Sequence, residues 1–176
     1  MEMFEFTIIA TGLDPEADDF ESRFYDGNCD DASVSFQKGH ILLDFAREAN
    51  SLEEAIETAV ADAKEAGATV ERVEPDPLVS LSDIASRADM TRSAMTNYVK
   101  GHRQEGFPPP RLRVTSQSPL WDWSEVAIWL YRRNRLDKAI AREAVVVSAA
   151  NDALDCGDEF STAFHGNLGE RESELA

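Results

Sequence analysis

Apolar and polar residues alternate with a period of two at the start of the chain. Phe4, Phe6 and Ile8 are interleaved with Glu5 and Thr7 in "FEFTIIATGL", the pattern of a strand with one buried face. The next stretch, "DPEADDFESRFYDG", places Pro15 and several acids in a first helical turn and Gly27 at its end, which predicts a helix. Alternation returns in "ASVSFQKGHILLDFA", with Val34 and Phe36 on one side of Lys38-Gly39 and Ile41, Leu43 and Phe45 on the other; this reads as a hairpin. The period then lengthens. Ser51 and Glu54 have capping-box spacing, and Leu52, Ala55, Ile56, Ala59, Val60 and Ala63 fall on one helical face before Gly67. "ATVERVEP", with Val70 and Val73, supplies a last strand. The order β-α-β-β-α-β predicts a ferredoxin-like plait over residues 1–76, and Pro75 and Pro77 mark the joint that follows.

Beyond that joint the pattern is helical and short. In "SLSDIASRADMTRSAMTNYVKG", Ser80 and Asp83 make a capping box for a first helix carrying Leu81, Ile84 and Ala85 inward. Asp89 to Thr91 form the turn, and Thr91 caps a second helix whose inward positions are Ala94, Met95, Tyr98 and Val99. "RLRVT" and "PLWDW" are patterned to pair as a small ribbon. Asp122 and Glu125 then open a third helix, "SEVAIWLYRRN", with Val126, Trp129 and Leu130 inward. Helix, turn, helix, ribbon, helix over residues 77–134 is the order of a winged helix-turn-helix. A long helix is expected over 135–156, with Leu136, Ile140, Ala144, Val147 and Leu154 near one stripe. The Gly-, Ser- and Glu-rich residues 157–176 read as a disordered acidic tail. The fold class is therefore α+β.

Charge changes the picture of what the second segment does. The chain carries a net charge of −17, which by itself argues against a phosphate-bearing partner. The distribution is uneven: residues 1–77 hold 5 basic and 20 acidic side chains, 78–135 hold 9 and 5, and 136–176 hold 3 and 9. One basic segment lies between two acidic ones, and it coincides with the helix-turn-helix pattern.

A 100° step per residue turns Arg92, Ser93, Thr96, Asn97 and Lys100 outward on the second helix. Arginine can pair with guanine O6 and N7, asparagine with adenine N6 and N7, and Ser, Thr and Lys with bases or phosphates. Thr91, at the cap, joins this set; His102, Arg103, Arg111 and Arg113 lie on the ribbon or its approaches. Two short helices around a tight turn also occur in proteins that never meet DNA. The coincidence with the charge reversal and with the ribbon favours the DNA reading.

The stretches "VSLSDIASRADMTRSAMTNYVK" and "GFPPPRLRVTSQSPLWDWSEVAIWL" resemble the winged helix-turn-helix of MerR and excisionase-type regulators, including AlpA-like prophage regulators. The resemblance covers about residues 78–131 and rests on the GFPPP joint with Trp121, Trp123, Ser124, Val126 and Trp129. It implies a recognition helix at Thr91, Arg92, Ser93, Thr96 and Asn97 and a wing over 111–118. Asp89 stands where such turns often carry glycine.

Other chemistry is sparse. Asp14, Glu16, Asp18 and Asp19 read as residues at a helix start, since no glycine-centred loop or closing glutamate supports calcium. Cys29 and Cys156 lack metal or disulfide spacing. His40 and His165 are scattered. No Ser, Cys or phosphate-loop motif stands out, so neither an enzyme nor a cofactor is expected. No apolar run is long enough to span a membrane and the first residues are acidic, which together predict a cytoplasmic protein. The expected function is a sequence-specific, double-stranded-DNA-binding transcriptional regulator of bacterial or phage type. The acidic first domain would act as sensor or oligomerisation module, with a homodimer on repeated half-sites. The competing reading is a protein-binding adaptor or antitoxin-like inhibitor whose acidic surfaces engage a basic partner. Adaptation to high salt is a third source of acidity.

Overall fold

The computed structural model describes all residues except His102, Gln104 and Asp158. Strand β1 (Glu2–Thr11) places Phe6, Ile8 and Ala10 on its buried face, directly opposite Phe45, Leu43 and Ile41 of β3 (His40–Ala49). The Phe6 and Phe45 rings stack at 5.4 Å. Strand β2 (Ala32–Gln37) pairs with β3 through a two-residue turn in which Lys38 (φ 52°) and Gly39 (φ 82°) are both left-handed; this is the backbone that matches the twist of a tight hairpin. Helix α2 (Leu52–Glu65) buries Leu52, Ala55, Ile56, Ala59, Val60 and Ala63, the face read from its period. Strand β4 (Thr69–Glu74) completes a four-stranded antiparallel sheet in the order β2-β3-β1-β4. Val70 and Val73 are both buried although three residues apart, because the register between β1 and β4 shifts at Ile9/Ala10 and the bulge resets the alternation.

Helix α1 (Phe20–Asp26) is shorter than expected. The Asp14 side chain accepts from the Glu16 N–H at 3.0 Å, and residues 15–19 form turns, so most of the acids precede the helix instead of lining its first turn. Ser51 accepts from the Glu54 N–H as expected, but the Glu54 carboxylate accepts from the N–H of Asn50 and leaves the box half closed.

The chain divides into two compact units. The sheet unit comprises residues 1–75 with 149–167; the helical unit comprises 76–148 with 168–176. The segments read as a separate C-terminal helix and tail are thus shared out between them. Helix α6 (Lys138–Asp155) buries Ala141 and then every residue from Ala144 to Ala150, a broader band than the expected stripe, while Leu136, Ile140 and Leu154 are only half-buried. The expectation of disorder beyond 157 is overturned: Phe160–Glu172 is a helix, α7. Phe160, Phe164 and Leu168 recur at four-residue intervals and all are buried, a stripe that the Gly- and Glu-rich composition masks. The Glu159 carboxylate accepts from the N–H and hydroxyl of Thr162, and Glu57 of α2 bonds both Ser161 and His165.

Inside the sheet unit, Arg47 is 8% exposed and fully engaged. It donates to Asp31 at 2.7 and 2.9 Å, to Asp62 at 2.7 Å, to Thr58 and to the carbonyl of Asn28. Burial opposes its charge, but the bonds to the two aspartates outweigh it and hold the guanidinium above its usual range. The neighbouring Cys29 thiol is pushed up to about 11 by burial and by the Asp62 charge, which makes it an inert core thiol. Among the described residues no helix is long and apolar enough to cross a membrane, and no cluster of His, Cys, Asp and Glu could hold a metal ion.

Candidate nucleic-acid interface

In the helical unit, local sequence sets two short helices and their joint. Ser80 and Asp83 form a complete capping box on α3 (Leu81–Arg87): the Asp83 carboxylate accepts from the Ser80 N–H at 2.8 Å and from its hydroxyl at 2.6 Å. Those bonds hold the Asp83 carboxyl below the usual carboxylate range. The helix stops at Ala88, and Asp89 takes a left-handed conformation (φ 50°), the role glycine often fills and one aspartate tolerates better than most residues. The Met90 N–H closes the turn on the Ala85 carbonyl at 2.8 Å. Thr91 then caps α4 (Arg92–Val99), accepting from the Ala94 N–H at 3.1 Å.

Packing fixes which face of α4 turns out. Met95 and Tyr98 are buried; the Tyr98 ring meets Trp129 of α5 (Trp123–Tyr131) edge-on at 5.3 Å. Phe107, from the GFPPP joint, meets the same Trp129 at 5.1 Å and Trp121 at 6.5 Å, and the Trp121 indole N–H donates to the Pro108 carbonyl. The joint is thereby pinned to α5. Ala94 is half-buried, but Val99, expected inward, is 41% exposed at the last residue of the helix. Thr91, Arg92, Ser93 and Lys100 are exposed, and Thr96 and Asn97 are half-buried. The Thr96 hydroxyl donates back to the Arg92 carbonyl at 2.9 Å.

The ribbon is smaller than its sequence pattern suggested. Leu112 and Leu120 form a single antiparallel bridge, and Trp121–Asp122 (β6) pairs instead with Leu78–Val79 (β5). Between the bridged leucines the chain makes a tight excursion: Arg113 is left-handed (φ 54°), Ser116 N–H donates to its carbonyl, and Val114 is exposed at the tip. Leu112 and Val114 are apolar surface residues that the reading for charged and polar contacts passed over.

The candidate cations fall into two groups. Arg111 is turned onto α5, where its guanidinium makes a two-pronged pair with Glu125 that keeps it above its usual range. That pair also corrects the expected capping box on α5: Asp122 does cap, accepting from the N–H groups of Ser124 and Glu125, but the Glu125 side chain is committed to Arg111. Arg92, Lys100, Arg103 and Arg113 are exposed and have no ion pair among the described residues. His102 lies outside the described residues. Arg133, by contrast, lies over the Trp129 ring at 3.8 Å and donates to two carbonyls.

No family model, curated protein or solved structure matches the chain.

Proposed function

We propose that the protein is a sequence-specific, double-stranded-DNA-binding transcriptional regulator, in which the helical unit is a winged helix-turn-helix and the sheet unit a ferredoxin-like plait. The strand order β2-β3-β1-β4, with α1 and α2 in the two crossovers, supports the plait. Two capped helices around a left-handed turn, followed by the bridged excursion at 112–120, support the winged fold and agree with the resemblance to MerR and excisionase-type regulators. One observation carries the function: the exposed start of α4 and the excursion after it bear cations without ion pairs, in a chain whose net charge is −17.

In this reading α4 enters the major groove. Arg92 and Asn97 read base edges, Thr91, Ser93 and Thr96 contribute hydroxyl contacts, and Lys100, Arg103 and Arg113 meet phosphates. Arg111 serves by holding the base of the wing to α5 through Glu125. The acidic sheet unit repels bulk DNA, which lowers non-specific affinity more than specific affinity. Fluorescence anisotropy with fragments of the protein's own upstream region, at two salt concentrations, tests this. Binding that weakens with salt and is lost in the Arg92→Ala/Asn97→Ala variant is expected. Absence of binding to those fragments and to a random duplex pool at low salt would overturn it in favour of an adaptor that engages a basic protein.

A further inference from the structure

The two edges of the four-stranded sheet are finished differently. The β4 edge is closed: it carries Glu71, Arg72 and Glu74, it lies beside a bulge, and the side-chain amide of Asn151 bonds both the N–H and the C=O of Val73 at 3.0 and 2.9 Å. These are the devices by which proteins blunt an edge strand. The β2 edge has none of them. Residues 32–37, Ala-Ser-Val-Ser-Phe-Gln, contain no charge, no proline and no bulge.

The hydrogen-bonding phase of β2 identifies what it offers. The Ala46 N–H donates to the Asp31 carbonyl, so Asp31 and, by alternation, Ser33, Ser35 and Gln37 turn their backbone groups toward β3. Ala32, Val34 and Phe36 turn theirs outward. The Ala32 N–H is taken by the Cys29 carbonyl, whereas among the described residues nothing bonds the backbone of Val34 or Phe36. The side chains of these two residues share the face of Ile41 and Leu43, yet Phe36 is 45% exposed, and Tyr25 of α1, which flanks the same edge beside Val34, is 70% exposed.

We infer that β2 is a homodimerisation edge, pairing antiparallel with β2 of a second copy about a two-fold axis at Ser35. This register sets Val34 against Phe36 of the second copy, and the reverse, so all four free backbone groups of each copy's pair find partners and the exposed Phe36 side chain is covered. Centring on Val34 instead would require the Ala32 N–H, which is already used. A second copy is the occupant the strand fits best: it is uncharged along its whole length and repeats the same apolar alternation when turned end for end. A charged partner strand would find no counter-charge on it. The interface is testable without DNA.

Sedimentation of the full chain across the micromolar range should show a concentration-dependent dimer. Phe36→Lys should weaken it by about tenfold or more, with an unchanged far-UV spectrum. Ser35 stands on the axis in a non-hydrogen-bonded pair, where the Cα separation of about 4.5 Å lies within disulfide range. Ser35→Cys in a Cys156→Ser background should therefore cross-link readily under mild oxidation, while Ser33→Cys in the same background should not. A monomer throughout the micromolar range overturns the inference. So does a dimer indifferent to Phe36→Lys, or equal cross-linking at positions 33 and 35.

Discussion

The sheet unit and the helical unit treat positive charge in opposite ways. In the sheet unit the arginines are spent on carboxylates: Arg23 on Asp19, Arg47 on Asp31 and Asp62, and Arg72 on Glu74, while Lys64 lies over the Phe160 ring. In the helical unit Arg111 is spent in the same way, but Arg92, Lys100, Arg103 and Arg113 are left facing solvent. A count of charges makes the chain an unpromising partner for DNA. Sorting the cations by what they already hold leaves Arg92, Lys100, Arg103 and Arg113 without ion pairs on α4 and the chain that follows it, with Arg135 and Lys138 exposed further along and Lys38 at the β2–β3 turn. Net charge governs long-range repulsion, whereas contact with phosphate depends on the few cations that are not already neutralised.

The sharpest way to break this comparison is to remove a spent cation. Arg47→Ala leaves Asp31 and Asp62 facing each other without their common partner and should cost about 3 kcal/mol, near the lower end for a broken buried pair because both aspartates keep some access to water. Urea denaturation measures it, and a loss below about 1 kcal/mol would show that the network is dispensable. Removing an unspent cation should do the reverse, sparing the fold and costing binding. Arg92→Ala or Asn97→Ala should lose about 1 to 3 kcal/mol of affinity for a specific site and relax base preference there, with an unaltered melting curve.

At the excursion over 112–120 the comparison narrows to two arginines two residues apart. Arg113→Ala should lower the slope of log affinity against log salt by about 1, as expected for one lost phosphate contact. Arg111→Ala should leave that slope nearly unchanged, since Glu125 already holds its charge. Equal slopes for both variants would remove Arg113 from the interface. The smallest effect concerns the α3 cap. Ser80→Ala should cost about 1 kcal/mol of stability. The Asp83 carboxyl is held low by Ser80, so its contribution is present above the ordinary carboxylate range and is lost as pH falls through the lowered value. The gap between wild type and Ser80→Ala in thermal melts should therefore close in acid.

Much of this was legible before any coordinates. The α2 face from Leu52 to Ala63, the Lys38-Gly39 turn, the Ser80–Asp83 box and the Thr91 cap all depend on neighbours a few residues away, and short-range periodicity and turn chemistry report such neighbours directly. What misled was composition. Residues 160–172 read as a tail because Gly, Ser and Glu are frequent there, although Phe160, Phe164 and Leu168 already kept a helical period. The ribbon was overdrawn for another reason: "PLWDW" can pair with either of two segments, and β6 goes to Leu78–Val79.

Of the candidate site, the sequence by itself determined the residue types, their 100° phase on α4 and the charge reversal that singles out residues 78–135. All of these follow from local order and composition. Only the tertiary structure decided which cations remain available, because Arg111 and Glu125 are fourteen positions apart and their pairing depends on how the excursion at 112–120 returns to α5. The same holds for the sheet edges. That β4 is closed by Asn151, seventy-eight positions away, while β2 is left open, is a matter of long-range chain return, and no local pattern encodes it.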